Sequence, residues 1–394
     1  MKICFCNILY SKINERGGLG SHIHDLSTEL AARGHEVVVL TSGDRKEYTE
    51  DGVRVIQLGR VSRFSNRWQI LNPFYLFQRL FYMCKLAISI RRMRFDLVEA
   101  AEGGAEHLFL LFARSCPIIT KLHGNFRYIY GNRFLLPIVE TMERMVVAGS
   151  DGAYASSSAY AQRISIDYRI PLDAIKIIPY GIKIEPIAAQ FPKQNSFRSE
   201  YGIPEDQKLV FLSAGASPVR KGAPLFLDVA KRLSGKSITF VLACSDMNFS
   251  NRADIPENVV VIPHLGRQGF HSLLKQVDLV VFPSQFESFC IAAYEAMLLG
   301  KTLIVSKNLP LEGTVRQYSQ CVVLENLDID SLAGAILNIV EGKNELSPVQ
   351  FNLLSRMRQE YDIGTVAELT EAYYREICGL HSESTGRVAK QARA

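Results

Sequence analysis

A chain of 394 residues, 47% of them apolar, is long enough to bury two cores of ordinary size. Its formal net charge of +5 is too small for a general nucleic-acid binder, and no apolar run is long and uninterrupted enough to cross a bilayer. The eight cysteines are scattered, with no Cys-x-x-Cys or Cys/His zinc spacing, and several lie inside apolar strands; this predicts a reduced, cytoplasmic protein with core thiols. The opening MKICFCNILY reads as a first strand rather than a signal peptide.

In chain order, Lys2 to Tyr10 is the first strand, followed by Gly17-Gly18-Leu19-Gly20 and a helix with Ile23, Leu26, Leu30 and Ala31 on one face. Ser21 is a candidate N-cap and Gly34 closes that helix. A glycine loop between first strand and first helix is where doubly wound folds let phosphate approach, although a tight turn explains it equally well. His22 and His24 beside it read as surface or capping residues. Val37 to Thr41 is the second strand. From Arg54 to Arg94 the chain carries eight arginines, Lys85, no acid, and interleaved aromatics; Phe74, Phe77, Phe81, Cys84 and Ile88 fall at helical spacing. That pattern fits either a core-packing helix with a solvated basic face or a surface that meets anionic lipid. Further strands are Asp96–Glu99 and Pro117–Leu122, the latter ending at His123-Gly124, where parallel sheets present residues to their ligand crevice.

Residues 1–185 thus form one domain, and the polar, proline-containing segment 186–199 forms a linker. Residues 200–362 form a second domain of the same α/β kind, which opens with the strand Leu209–Ala214. A helix over 363–380 crosses back to the first domain, and the polar segment 381–394 is a disordered tail. In the second domain Arg220 and Lys221 precede a helix whose first turn holds Pro224. Cations are disfavoured at a helix N-terminus unless an anion sits between them and it. The stretch Asp278–Ser306 then reads as strand, loop, helix and strand, with Gly300 as the helix stop. Glu287 stands at the mouth of this helix and Glu295 further in. If the segment is helical throughout, the two lie about 12 Å apart along the axis, comparable to the span from sugar to ribose in a nucleotide-sugar. The small and apolar neighbours of Glu295 predict a buried carboxylate, which needs a partner.

Pro283-Ser284, Glu287-Ser288-Phe289, Glu295-Ala296 and Gly300, with Arg220-Lys221-Gly222, resemble the donor-site signature of family 4 glycosyltransferases. The resemblance implies an α/β, GT-B architecture of two Rossmann-like doubly wound domains facing a central cleft. It also implies a retaining, metal-independent transfer from a nucleotide-sugar, a UDP-sugar before a GDP-sugar, with no cofactor besides that co-substrate. In that family the first glutamate contacts the transferred sugar and the second the ribose, the lysine motif binds the diphosphate, and a histidine after the corresponding strand contacts the sugar. Carried over, the catalytic residues are His123, Glu287 and Lys221. The donor-binding residues are Gly18, Arg220, Lys221, Glu287, Ser288, Phe289, Cys290, Ile291 and Glu295. Three positions depart from the family pattern: Tyr180 stands where asparagine is usual, Ala216 where an arginine is frequent, and Cys290 where glycine is frequent.

The expected partners are the donor, a glycan or lipid-linked acceptor and the inner face of an anionic membrane, with bacterial surface polysaccharide or glycolipid synthesis as the setting. Two rivals remain at this level: a nucleotide-sugar epimerase, and a degenerate transferase-like partner subunit.

Overall fold

The computed structural model describes residues 1–10, 18–61, 73–130, 136–184, 197–215, 217–263, 265–311, 313–343, 346–347 and 351–391. The chain divides into two compact units. Met1–Asn14, Leu19–Gly181 and Ile363–Ala394 form the first; Glu15–Gly18 and Ile182–Asp362 form the second. Most of the linker segment, 186–196, lies outside the described residues.

The first unit is built on an eight-stranded sheet: β1 (Lys2–Cys6), β2 (Glu36–Thr41), β3 (Lys46–Glu50), β4 (Val53–Gln57), β5 (Leu97–Ala101), β6 (Ile118–Leu122), β7 (Gly152–Ala155) and β8 (Ile175–Ile177). Their order is β3-β4-β2-β1-β5-β6-β7-β8, parallel except for the antiparallel β3–β4 hairpin. β1, β2, β5 and β6 are buried almost from end to end, the near-continuous apolar run expected of strands covered on both faces. The β3–β4 hairpin is absent from the sequence reading because Lys46–Glu50 is charged and mostly exposed, an edge with no apolar alternation.

The second unit carries a six-stranded, fully parallel sheet: β9 (Lys208–Gly215), β10 (Ile238–Cys244), β11 (Val259–Ile262), β12 (Leu279–Phe282), β13 (Thr302–Ser306) and β14 (Cys321–Leu324). Its order is β11-β10-β9-β12-β13-β14. Each unit is therefore doubly wound, as the sequence predicts, and each has a point where strand order reverses: between β1 and β5, and between β9 and β12. Loops at the carboxyl ends of such strand pairs form ligand crevices.

The last helix, Ile363–Gln391, begins in the first unit and continues past residue 380, beyond the point where the polar composition predicts disorder. Alanine, lysine, glutamine and arginine in that segment favour helix. Val366, Ala367, Tyr373, Tyr374 and Ile377 join the core formed by Ile3, Phe5, Leu97 and Tyr154. Glu99 on β5, itself buried, accepts from the hydroxyls of Tyr374 and of Tyr154, the latter at 2.6 Å. The helix is thus part of the first unit's fold. Tyr374→Ala deletes a fully buried ring and one donor to a buried carboxylate, and should cost about 3–5 kcal/mol. Thermal or urea unfolding checks this, and a loss below about 1 kcal/mol would contradict it.

Candidate active site

In the second unit the loops after β9 and β12 meet at the strand-order reversal. The β9 loop turns through Arg220 and Lys221 into the helix Ala223–Arg232, whose first turn contains a proline as expected. Gly222 adopts φ +79°, and a Cβ there would stand 2.2 Å from the carbonyl oxygen of Pro283. Only glycine allows the two loops this approach. The Gln285 N–H donates to the Arg220 carbonyl at 2.9 Å, and the buried Ser306 hydroxyl donates to the Ser284 carbonyl at 2.7 Å. The first bond fixes the two loops to each other by backbone, and the second ties the β12 loop to the end of β13.

This junction holds Glu287. Its side chain is 7% exposed, and Oε1 lies 2.5 Å from Lys221 Nζ and 3.5 Å from Arg220 Nη1, while the Ser284 hydroxyl donates to it at 3.1 Å. Arg220 Nη1 also donates to the Phe286 carbonyl at 2.7 Å. Burial opposes ionisation of Glu287, but Lys221 and then Arg220 outweigh it and hold the carboxyl below its ordinary range. The anion that these two cations need is supplied by the protein.

The helix after β12 runs only from Ile291 to Leu298, so Glu287 sits in the preceding loop and the axial spacing expected of a continuous helix does not apply. The cause is Cys290, which takes φ +70° and ψ +69° and stops the helix from extending backwards. This is a left-handed position, which explains why glycine suits it and why cysteine there is strained. Burial pushes the Cys290 thiol up to about 12, and Lys221 Nζ lies 4.0 Å from its sulfur. The Phe289 ring is in the core, stacked on Tyr294 at 4.1 Å and tilted against Tyr361 at 6.0 Å, so only its main chain is left to meet a ligand. Ser288 stands between it and Glu287, and Ile291 opens the helix. Gly18 groups with this unit, and a Cβ on it would lie 3.5 Å from Ile291 Cδ1. Gly17 lies outside the described residues.

Glu295 is buried and paired, as its neighbours predict. Its Oε1 is 3.1 Å from His271 Nε2 and 3.8 Å from Arg267 Nε, both on the helix Arg267–Gln276. Oε2 carries none of these contacts. Neither partner was legible as such, because both are distant in sequence and no motif marks them.

In the first unit His123 follows β6 and Gly103-Gly104 follows β5. Glu102, fully buried between them, accepts from the N–H groups of His123 and Gly124 and from the Tyr160 hydroxyl at 2.6 Å; its Oε2 is 2.9 Å from His123 Nδ1. Burial again opposes the charge, and His123, Tyr160 and Gly124 outweigh it, holding the carboxyl below its ordinary range. An ionised carboxylate can only accept, so Nδ1 carries the proton and Nε2 is the ring nitrogen directed away from Glu102. A second carboxylate, Glu143, accepts from the Gly104 N–H at 2.7 Å, the Phe126 N–H at 3.0 Å and the Tyr168 hydroxyl at 3.0 Å; burial pushes it up to about 8. The sequence reading misses Glu102, although a carboxylate at the end of a buried strand, followed by two glycines, is a signal it could have used.

The departures have local explanations where the residues are described. Tyr180 is buried, stacked on His22 at 4.3 Å, with its ring 4.8 Å from Lys121 Nζ. His22 is accordingly a core residue inside the helix Gly18–Ala32, not the surface or capping residue expected. Ala216 lies outside the described residues. Among the described residues one trio of possible metal ligands comes together: His24, Glu50 and Asp51, within 4.8 Å of one another.

Two family models match the chain: "Glycosyltransferase Family 4" over residues 16–186 and "Glycosyl transferases group 1" over residues 193–356. A glycogen synthase of Mycobacterium tuberculosis is 26% identical, covering 91% of each chain. Among solved structures, sucrose-phosphate synthase from Thermosynechococcus elongatus superposes with a TM-score of 0.77 at 16% identity, over 96% of this chain and 100% of the other. Anabaena HepE in complex with UDP and glucose gives 0.70 at 17% identity, over 95% and 100%.

The Glu102–His123 pairing has a direct readout. Long-range ¹⁵N–¹H NMR should find the Nδ1–H tautomer of His123 in the native protein and a mixture in Glu102→Gln. That variant should lose about 1.5–3 kcal/mol of stability as charge-assisted hydrogen bonds weaken. An Nε2–H tautomer in the native protein would contradict the pairing.

Proposed function

Because the chain belongs to the family 4 glycosyltransferases and has their GT-B fold, we propose that it transfers a hexose from a UDP-sugar, with retention, to a glycan or lipid-linked acceptor. The observation that carries this reading is the junction of Arg220, Lys221 and Glu287 at the strand-order reversal of the second unit. Two cations held around one internal carboxylate, ahead of a helix N-terminus, form a site that a diphosphate can take over. The UDP preference is supported by the likeness to HepE, which has been solved with UDP and glucose.

In this reading the second unit holds the donor. Lys221 and Arg220 neutralise the diphosphate as it departs, which is electrostatic stabilisation placed where charge develops. Freed from the cations, Glu287 orients hydroxyls of the transferred sugar. Glu295, fixed by His271 and Arg267, turns Oε2 to the ribose. The main chain from Ser288 to Ile291, with Gly18, borders the donor. The first unit supplies His123, which Glu102 orients through Nδ1 so that Nε2 serves the sugar, and takes the acceptor. No side chain is assigned as a covalent nucleophile; the leaving phosphate receives the acceptor proton on the face from which it departs. The nucleotide-sugar is a co-substrate and no further cofactor is assigned. Eight free cysteines suit a reducing cytoplasm, and the role fits bacterial surface polysaccharide or glycolipid synthesis at the inner face of the membrane.

Calorimetry with UDP separates the two halves of the ion pair. Lys221→Ala should weaken UDP binding about tenfold to a hundredfold, the worth of one charge-assisted contact. Glu287→Gln should leave UDP affinity equal or higher, because it removes the internal competitor, while turnover of a UDP-sugar falls about a hundredfold or more. Unchanged affinity in Lys221→Ala would overturn the assignment, as would weakened affinity in Glu287→Gln.

Activity on the matched UDP-sugar and acceptor should persist in excess chelator, since cationic side chains already serve the leaving group. Complete loss, restored by magnesium or manganese, would overturn metal independence.

A further inference from the structure

The acid-free helix Pro73–Met93 has two apolar faces. One is accounted for: Leu86, Ala87 and Ile90 pack with Cys4, Val38 and Leu40 in the core of the first unit. The other is not. Phe77 is 69% exposed, Phe81 50% and Ile88 51%, and Leu80 and Cys84 beside them are also exposed. Residues 77, 81, 84 and 88 follow one another at helical spacing, so they form a continuous stripe. Phe77 and Phe81 stack on each other with centroids 6.3 Å apart, and Lys85 Nζ stands 4.4 Å from the Phe81 ring centroid.

Positive charge borders this stripe. Arg91, Arg92 and Arg94 close the helix and are exposed. Beside it lies a groove of about 610 Å³ lined by Arg45, Lys46, Lys85, Ile88 and Arg92. Its one acid, Glu47, is taken by Arg54 at 2.7 Å, and Arg60 is taken by Asp44. Arg45, Lys46, Lys85, Arg91 and Arg92 make no ion pair among the described residues. Like charges left this close, next to exposed phenylalanines, are unfavourable on a surface that meets only water.

We infer that this face docks on an anionic bilayer, with Phe77, Phe81 and Ile88 entering the headgroup boundary and the Arg45–Lys85–Arg92 groove receiving lipid phosphate. The pairing of an apolar stripe with unpaired cations matches the two forces that hold interfacial helices. An acidic protein partner would complement the cations but leave the phenylalanine stripe without a reason, and a second copy of the face would set like charges against one another. The inference deepens the acceptor half of the proposed function and rests on that reading for its purpose: a lipid-carried acceptor would be reached from the same surface.

Co-sedimentation of the full chain with phosphatidylcholine vesicles, with and without phosphatidylglycerol, tests it. The protein should pellet only with the anionic vesicles, and affinity should fall about tenfold or more as salt rises and the Debye length shrinks. Arg91→Glu/Arg92→Glu and, separately, Phe77→Ser/Phe81→Ser/Ile88→Ser should each weaken binding about tenfold or more. Melting curves keep a folding defect from being read as lost docking. UDP affinity in the same variants should be unchanged, so a failed donor assignment and a failed membrane surface give different results. Equal pelleting with neutral vesicles, or either variant binding like the native chain, would overturn the inference. So would a dimer in vesicle-free solution that the serine substitutions abolish.

Discussion

The contact between Lys221 and Glu287, 2.5 Å long and nearly shielded from water, is the constraint on which the second unit's site depends. Removing either charge from water is costly, and each is tolerated because the other is there. Holding them together requires two loops from adjacent parallel strands to approach within backbone contact. Gly222 permits that approach against Pro283, Gln285 fastens it, Ser306 steadies the β12 loop from β13, and Cys290 accepts a left-handed conformation so that the chain reaches the next helix without carrying Glu287 into it. A pre-formed pair also keeps Lys221 and Arg220 from choosing other partners. In the proposed reaction the diphosphate meets cations that are already ordered, and it binds by displacing Glu287 from them.

The first unit solves a related problem with the opposite emphasis. At its own strand-order reversal the internal carboxylate is Glu102, and its partners are mostly backbone N–H groups and a tyrosine hydroxyl rather than cations. Such a carboxylate fixes geometry: it sets the path of the His123–Gly124 turn and the tautomer of the ring. Glu143 does the same for Gly104 and Phe126 from the neighbouring helix, but burial, with the Glu102 charge adding to it, pushes its carboxyl up to about 8. Similar residues in similar loops thus perform different work because their surroundings differ in charge.

Much of this was legible in the sequence. Buried parallel strands announce themselves as short apolar runs, which is why β9, β12 and β13 fall close to where they are expected. Local motifs were also legible: Arg220-Lys221-Gly222 before a helix, and Glu287 at the mouth of another. Interactions across the sheet were not. Nothing in the neighbourhood of Glu295 points to His271 and Arg267, and nothing near His123 points to Glu102 twenty-one residues earlier. Phe289 looked like a ligand contact because of its place in a motif, whereas its ring fills a hole beside Tyr294 and Tyr361. Pattern locates a loop; which of its side chains turn inward depends on packing that one sequence does not display. Of the Arg54–Arg94 segment, the helix Pro73–Met93 packs Leu86, Ala87 and Ile90 into the core and leaves Phe77, Phe81 and Ile88 exposed, a division that the spacing alone does not display.

A structure of the protein with UDP bound tests the central claim most directly. The account predicts that Lys221 Nζ leaves Glu287, lengthening the present 2.5 Å contact beyond hydrogen-bond reach, and that Lys221 and Arg220 take diphosphate oxygens at about 2.7–2.9 Å. A complex in which the Lys221–Glu287 contact persists unchanged, with the diphosphate bound elsewhere, would contradict it.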